Sequence, residues 1–294
     1  MGPSDNLLKR TEEAFTATAA IRKGEELYCG VDLGTASIIL VVLNGGGEPV
    51  ACEMELCQVA RDGLVVDYMG AIAITKKLRE RLENRLGASI RTAAIAVPPG
   101  TAKANSGTHR NIVEASDMEV AGVFDEPTAA NAVLRIKDGV VVDIGGGTTG
   151  LSVFKDGRVT YTADEATGGH HMSLVLMGRY KMSYEEAEAF KQDPEKAGEV
   201  RAAVLPVAEK MAGIVSRQIS GHDVDEVWLA GGTACLPGIE DVFSGILGKR
   251  TLKPSRPMMV TPLGIAMSIL PAETLQRASL MSDKRPDVKN MLKN

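Results

Sequence analysis

The chain has 294 residues, of which 44% are apolar, so it is long enough for one large or two ordinary domains with a substantial core. A net charge of −5 gives no electrostatic support for binding nucleic acid or an anionic membrane. No apolar run has the length of a signal peptide or a membrane span, so we expect a cytoplasmic protein without membrane or nucleic-acid partners. The four cysteines lack zinc-site spacing and predict buried thiols in a reducing compartment.

The first half of the chain alternates predicted strands and helices. Residues 1–26 are polar, apart from a short mixed patch at NLLKRTEEAFTATAAI that is compatible with an amphipathic turn or two, and predict a flexible or loosely docked arm. Two strands around a Gly-Thr-Ala-Ser turn are predicted at LYCGVDLGTASIILVVL, and a third strand at EPVACEMELCQ. Apolar residues four apart in AITKKLRERLENRLG predict an amphipathic helix that ends at Gly87. Strands follow at RTAAIAVPPG and EVAGVF, and helices at NSGTHRNIVEASDM and EPTAANAVLRI.

The second half continues this alternation. Strands are predicted on both sides of the glycine turn in GVVVDIGGGTTGLSVF and again at RVTYTADEA. Helices are predicted at GGHHMSLVLMGRY, at VRAAVLPVAEKMAGIVSRQIS and at SYEEAEAFKQD, where Ser183 and Glu186 have capping-box spacing. The segment DEVWLAGGTACLPGIEDVF predicts a strand, a glycine turn and a helix. The order predicts an α/β fold, followed by a charged C-terminal tail at 272–294.

Two segments share one pattern, YCGVDLGTASIILVVL and VVVDIGGGTTGLSVF. Each has a strand ending in Val-Asp, one apolar residue, a glycine turn with threonine, and a second strand, which indicates an internal repeat. Such turns expose backbone N–H groups, which suit phosphate oxygens. The carboxylates of Asp32 and Asp143 would repel phosphate unless Mg²⁺ lies between them. The repeat therefore predicts a phosphate-and-magnesium clamp made of two facing hairpins.

Each hairpin alone also has an ordinary explanation, because Asp-x-Gly turns are common and NGGGEP is another glycine cluster. The matched pair favours a nucleotide site, as does a third glycine turn at LAGGTA, where adenine or ribose can lie against bare backbone. Neither G-x-G-x-x-G nor G-x-x-x-x-G-K-[ST] occurs, so the sequence supports neither a Rossmann site nor a P-loop. His170 and His171 fit either a metal pair or hydrogen bonding at a helix start.

Five motifs resemble the actin, Hsp70 and sugar-kinase ATPase superfamily, in the order found there: VDLGTAS, DEPTAANAV, VVDIGGGTTGLSVF, VWLAGGTACLPGIEDVF and TPLGIAMSIL. They correspond to two phosphate motifs, an adenosine motif and two connecting helices. The short length and the segment GGHHMSLVL to SYEEAEAFK are similar to the ethanolamine-utilisation protein J family, a chaperone-like ATPase family encoded with bacterial microcompartments. The resemblance implies two lobes, as duplicated ribonuclease-H-like domains, with ATP or ADP and Mg²⁺ in the cleft between them.

The resemblance also implies a role for individual residues. Asp32 and Asp143 would hold Mg²⁺ through waters, and Glu126 would position the attacking water, which makes these three carboxylates the catalytic set. The nucleotide-binding set would be Gly34, Thr35, Gly145, Gly146, Gly147 and Thr148 for the phosphates and Gly231 and Gly232 for the adenosine.

One element of the Hsp70 site has no confident counterpart. Hsp70 places a lysine near the γ-phosphate, and Lys76, Lys77 and Lys103 are candidates that the sequence does not rank. We therefore expect slow ATP hydrolysis, or nucleotide binding with little turnover.

Three classes of function stay open. The first is a slow Mg-dependent ATPase that acts as a chaperone-like or reactivating factor on an ethanolamine-pathway enzyme or a microcompartment protein, which EPTAA favours. The second is a nucleotide-gated actin-like filament or scaffold, and the third is a small-metabolite kinase. The motif order predicts lobe I at 27–138, with 263–271 returning to it, and lobe II at 139–262. Small residues in the connecting helices, such as Ala129 and Ala130, predict hinge closure around the nucleotide.

Overall fold

The computed structural model describes residues 3–61, 63–101 and 103–274; the remainder of the predicted tail, 275–294, lies outside the described residues. In chain order the first part contains α1 (Pro3–Glu13), β1 (Leu27–Leu33), β2 (Ser37–Asn44), β3 (Pro49–Leu56), β4 (Ala60–Arg61), β5 (Leu64–Val65), α2 (Tyr68–Leu86), β6 (Thr92–Val97), α3 (Lys103–Glu114), β7 (Glu119–Asp125) and α4 (Glu126–Leu134). The second part contains β8 (Gly139–Ile144), β9 (Thr149–Lys155), β10 (Arg158–Glu165), α5 (Gly169–Tyr180), α6 (Tyr184–Gln192), α7 (Ala197–Gln218), β11 (Glu226–Ala230), α8 (Ile239–Leu247), β12 (Arg250–Leu252) and α9 (Val260–Met267).

Two sheets with the same topology form the framework. The strand orders are β3-β2-β1-β6-β7 and β10-β9-β8-β11-β12. In each sheet the first strand pairs antiparallel with the second and parallel with the strand after the first crossover. This confirms the α/β fold class and explains the sequence repeat. We call the parts built on the first and second sheets lobe I and lobe II; their predicted boundary at residues 138 and 139 stays a prediction.

Helix α2 shows how apolar spacing determines packing in lobe I. Leu78 and Leu82, one turn apart, are both fully buried against the sheet. The helix ends at Gly87 with φ of +63°, a left-handed conformation that glycine adopts without strain. It begins earlier than the apolar pattern predicts, because the Asp67 carboxylate accepts a hydrogen bond from the Gly70 N–H at 2.8 Å.

The two lobes meet at a crossing of α4 and α9. A Cβ at Gly264 would collide with the carbonyl of Ala129, so the two helix backbones are in direct contact there. A Cβ at Gly30 on β1 would lie 2.5 Å from the carbonyl oxygen of Pro262. After the second sheet is complete, α9 therefore packs against the first strand of lobe I.

Residues 3–13 of the predicted arm form α1, a longer and more firmly docked helix than the amphipathic turn or two that the sequence indicates. Leu8 and Thr11, three residues apart, are fully buried, and Ala14 is 4% exposed. This spacing places the three side chains on one buried face of the helix. Leu8 and Ala14 on that face pack between the lobes, although the segment is polar on average. The polar average composition of residues 1–26 therefore did not reveal that part of this segment forms a docked helix.

Two expectations drawn from composition can be compared with the structure. Cys29 and Cys52 are buried, but Cys57 is half-buried and Cys235 is exposed, so the prediction of four buried thiols is wrong for the last two. Cys57 follows the end of edge strand β3, and Cys235 ends a 3₁₀ turn on the surface. None of the helices in the described ranges combines the length and the apolar character that a membrane crossing requires.

Candidate functional site

The two predicted phosphate turns face each other across the lobes. A Cβ at Gly146 would lie 3.3 Å from the Cβ atoms of both Thr35 and Ala36. The β1–β2 turn of lobe I and the β8–β9 turn of lobe II are therefore in contact distance. The facing arrangement that the sequence predicts is what the structure shows.

The second turn leaves successive backbone donors free. It is closed by one hydrogen bond, from the Gly145 N–H to the Thr148 carbonyl at 3.0 Å. The N–H groups of Gly146, Gly147 and Thr148 make no hydrogen bond with any residue that the structure describes. Adjacent free N–H groups of this kind form a concave anion-binding site.

Helix α5 supports this turn from behind. The N–H groups of Gly169 and His170 donate to the carbonyls of Gly145 and Gly146 at 3.0 and 2.7 Å. A Cβ at Gly168 would lie 2.6 Å from the Gly146 carbonyl oxygen, so only glycine fits there. Because the carbonyls are held on the α5 side, the free N–H groups of the turn remain on the other side.

Asp32 and Asp143 lie near the ends of β1 and β8, at the start of the two turns. Asp143 is 5% exposed, and the Thr261 hydroxyl of α9 donates a hydrogen bond to its Oδ2. Burial raises the pKa of Asp143 to about 6, although the bond from Thr261 opposes the rise. Burial and then the charge of Asp143 raise the pKa of Asp32 to about 7. The two carboxylates thus share one electrostatic environment.

Glu126 joins them from the first turn of α4. Asp125 caps this helix by accepting from the Thr128 N–H at 2.9 Å, and the same oxygen accepts from the Ser152 hydroxyl of β9 at 3.1 Å. The cap fixes the helix start against lobe II. Burial and then the charges of Asp143 and other carboxylates raise the pKa of Glu126 well above its ordinary value. All three predicted carboxylates are therefore brought together.

The sequence interpretation missed a fourth carboxylate, Asp164 on β10. Asp164 pairs with Gly150 across the sheet, and a Cβ at Gly150 would lie 3.4 Å from its Oδ1. Burial raises the pKa of Asp164 to about 6, with the Thr148 hydroxyl as a hydrogen-bond partner that lowers it. Its Oδ1 is buried without a partner among the described residues. Asp164 could have been predicted as a site residue only if the pairing register of β9 and β10 had been known, because that pairing places it opposite Gly150.

The third glycine turn packs directly on the second. Gly231 has φ of +89°, and a Cβ there would collide with Asp143 and lie 2.5 Å from the Ile144 carbonyl oxygen. The Thr233 hydroxyl donates to the Gly145 carbonyl at 2.8 Å. Gly232 is exposed, with open space where a Cβ would be. The predicted adenosine turn therefore adjoins the phosphate turn and leaves a bare backbone surface.

A polar cluster of Ser173, Glu188 and Lys191 lies beside this surface, and the sequence did not indicate it. Lys191 of α6 donates to Glu188 Oε1 at 2.7 Å and to the Ser173 hydroxyl at 2.9 Å. A Cβ at Gly169 would lie 3.5 Å from Lys191 Nζ and 2.5 Å from the Thr233 hydroxyl oxygen. Helix α6 therefore brings an ammonium and a carboxylate to the edge of the third glycine turn.

The two adjacent histidines serve the start of α5. His171 Nδ1 accepts a long hydrogen bond, 3.4 Å, from the Gly168 N–H. The ring of His170 packs against Tyr184, with centroids 5.4 Å apart. Among the described residues no group of three or more His, Cys, Asp or Glu side chains is arranged to hold a metal ion. The helix-start interpretation is the one that the contacts favour.

The structure separates two of the three candidate lysines from the site. On α2, Lys77 pairs with Glu55 at 2.7 Å and Lys76 with Asp117 at 3.9 Å. The side chain of Lys103 lies outside the described part of the chain.

A different lobe I element, the β4–β5 hairpin, reaches the second turn. A Cβ at Gly63 would lie 2.8 Å from Pro98 Cγ and 3.5 Å from Thr148 Cγ2. Arg61, two residues before Gly63, is exposed, and its guanidinium has no partner among the residues that the structure describes. The hairpin therefore carries an exposed cation two residues from its contact with the anion-binding turn.

The residues present fit a magnesium nucleotide. Burial raises the pKa values of four carboxylates gathered at one place, where a bound cation would favour their ionised forms, and the adjoining turn offers unpaired donors to an anion. Mg²⁺ keeps several waters and takes its remaining ligands from one or two carboxylates and the phosphates, so a direct protein cage is not required.

Comparison with known proteins agrees with this geometry. A family model described as type IV pilus assembly protein PilM matches residues 131–267. The ethanolamine utilization protein EutJ of Salmonella typhimurium is 43% identical over 243 residues, which cover 82% of this chain and 85% of that protein. The chain belongs to the EutJ family.

Two solved structures extend the similarity of this EutJ family member. The crystal structure of EutJ from Carboxydothermus hydrogenoformans has a TM-score of 0.84 and 44% identity, covering 90% of this chain and 97% of that one. MreB5 of Spiroplasma citri bound to ADP has a TM-score of 0.65 at 16% identity, covering 86% and 98%. These results confirm the predicted resemblance and the two-lobed actin-like fold.

Proposed function

We propose that this EutJ family member binds ATP and ADP with Mg²⁺ between its lobes and hydrolyses ATP slowly to ADP and phosphate. The observation that carries the proposal is the turn at Gly146, Gly147 and Thr148, whose unpaired N–H groups lie beside Asp143. The MreB5 structure of the same fold is described as bound to ADP, which supports a nucleotide.

Each part of the site has a role in this proposal. The two facing turns bind the phosphates, and Asp32, Asp143 and Asp164 hold Mg²⁺ through water. When bound, Mg²⁺ neutralises phosphate charge. Glu126 orients the attacking water and accepts its proton, a role that suits a carboxylate whose pKa is raised by burial.

The nucleoside end of the cleft is formed by bare backbone and one polar pair. Gly231 and Gly232 leave space for the adenine and ribose. Lys191 and Glu188, at the edge of that surface, supply a donor and an acceptor for ribose hydroxyls. Arg61 on the β4–β5 hairpin is the cation that we assign to the terminal phosphate, because this hairpin approaches the phosphate turn at Thr148.

Membership of the EutJ family supports a role in ethanolamine utilisation. We propose that the protein is a cytoplasmic chaperone-like or reactivating factor for an ethanolamine-pathway enzyme or a microcompartment protein. Affinity capture with ADP and with a non-hydrolysable ATP analogue tests this role. Recovery of no such protein with either nucleotide refutes it, and light scattering that rises above a threshold protein concentration after ATP addition supports a filament instead.

Calorimetry tests the nucleotide site itself. Wild-type protein is titrated with ADP in the presence and absence of Mg²⁺, next to Asp143→Asn and the exposed-carboxylate control Asp223→Asn. We expect magnesium-dependent binding by wild type and Asp223→Asn, and its loss in Asp143→Asn. Absence of ADP binding by the wild type, or equal binding by all three proteins, contradicts the proposed site.

A further inference from the structure

Helix α1 and the segment after it are attached to lobe I by backbone and side-chain hydrogen bonds. The Ala14 carbonyl accepts from the Cys52 N–H of β3 at 2.9 Å and from Arg85 Nη2 of α2 at 2.8 Å. The Ala19 N–H donates to the Val50 carbonyl at 2.9 Å. The chain after α1 thus pairs with the outer edge of the first sheet.

The same helix is attached to the chain that leaves lobe II. Asp5 Oδ1 accepts from the Ser255 N–H at 3.1 Å, and Glu12 forms an ion pair with Arg256. Residues 255 and 256 connect β12, the edge strand of the second sheet, to α9. The α1 helix therefore joins both lobes directly.

Between these attachments α1 lies over both connecting helices. The Ser4 hydroxyl donates to the Val133 carbonyl at the end of α4 at 3.0 Å. Leu8 is fully buried in the same cluster as Val133, Leu263 of α9 and Met259 just before it. Any change in the angle between the lobes that shifts α4 against α9 must therefore alter the contacts of α1.

The polar contacts of α1 with residues 255 and 256 lie at the edge of the interface. Next to it lies a cavity of about 540 Å³ between α1 and β3 on one side and the chain around α8 and β12 on the other. Its lining includes Phe15, Met54 and Cys235. Because this cavity separates the neighbouring side chains, the described contacts of α1 with residues 255 and 256 are the polar ones of Asp5 and Glu12.

We propose that α1 is a strap that restrains the movement of lobe II against lobe I and thereby slows the release of bound nucleotide. This inference rests on the proposed nucleotide site between the lobes. Loss of the Glu12–Arg256 pair weakens the lobe II end of the strap, where the Asp5–Ser255 hydrogen bond is the remaining polar contact with residues 255 and 256, whereas Leu8 keeps the helix docked. The lobes then separate more often, and the nucleotide leaves faster.

Charge reversal at the pair tests the strap. Glu12→Arg, Arg256→Glu and the double swap are compared with Glu13→Arg, a matched reversal whose ion-pair partner, Lys9, lies on α1 itself. The release rate of a fluorescent ADP analogue is measured by stopped flow. Reversal removes an attraction and adds a repulsion, so we expect release about threefold to tenfold faster in each single variant. The double swap is expected to return to the wild-type rate, and Glu13→Arg to stay there.

Hydrogen exchange of the α9 amides in ligand-free protein supplies a readout that needs no nucleotide. We expect faster exchange in Glu12→Arg and Arg256→Glu and wild-type exchange in the double swap. If wild type binds no ADP, the proposed nucleotide site fails, and the exchange data still decide whether α1 restrains the hinge. Single variants with wild-type release and exchange overturn the strap, as does a double swap that behaves like the single variants.

Discussion

Replacing Asp143 by asparagine is expected to stabilise the ligand-free protein while removing its magnesium-dependent nucleotide binding. Burial raises the pKa of Asp143 from 3.8 to about 6, so the ionised carboxylate costs the folded state about 3 kcal/mol at neutral pH. Asparagine has nearly the same shape, and its carbonyl oxygen can accept the hydrogen bond from Thr261. The substitution removes the charge and keeps the packing.

The sign of the pH dependence follows from the raised pKa. The folded protein binds the proton of Asp143 more tightly than the unfolded chain does, so the charge penalty is absent below about pH 4. It grows as the pH rises and is complete above about pH 6. We therefore expect Asp143→Asn and wild type to be equally stable near pH 4, and the variant to be more stable by about 1–3 kcal/mol at about pH 8.

Urea unfolding of ligand-free protein across this pH range measures the difference. Asp223→Asn, at an exposed position, is the control and should follow the wild type at every pH. A loss of stability in Asp143→Asn that is the same at all pH values would show that the carboxylate stabilises the fold, and would refute the reasoning.

Three further outcomes are expected. Thr261→Val removes the donor to Asp143 and should weaken Mg·ADP binding about tenfold or more, with affinity recovering as the pH rises; affinity in calorimetry that is unchanged at every pH contradicts this. Gly264→Ala places a methyl group against the backbone of α4 and should prevent stable folding. Gly245→Ala, with open space on α8, should raise the free energy of unfolding by about 0.5–1 kcal/mol. Equal midpoints of the two variants in urea unfolding refute the crossing geometry. Arg61→Ala should weaken binding of a non-hydrolysable ATP analogue and leave ADP binding unchanged; equal losses for both nucleotides refute its assignment to the terminal phosphate.

The framework could be predicted from the sequence because its signals are local. Apolar runs, helix stops such as Gly87 and the cap at Ser183 depend on a few neighbouring residues. The structure confirms that Gly87 ends α2 and that Ser183 caps the start of α6. The two phosphate turns were recognisable because the same short pattern occurs twice. Their facing arrangement follows from the duplicated sheet topology that the repeat implies.

The missed residues depend on contacts between distant parts of the chain. Asp164 reaches the site only through the register of β9 and β10, and Thr261 reaches Asp143 only because α9 begins beside the end of β8. Neither requirement is visible in a short segment. The α1 helix was missed for a related reason, since the surface that buries Leu8 is assembled from both lobes. Tertiary packing, which local propensity does not encode, determines these positions.

At the crossing of α4 and α9 the contact is made by backbone, because Gly264 has no side chain. Around that point the side chains of Val133, Leu263 and Ala266 pack in one buried cluster, so the close backbone contact is the centre of a packed interface. Thr261 lies less than one turn before Gly264, about 4.5 Å along the helix axis. The crossing point and the hydroxyl that contacts Asp143 therefore belong to one short piece of helix. We therefore expect a change in the angle between the lobes to shift Thr261 relative to Asp143, and so to change how strongly that carboxylate attracts a cation.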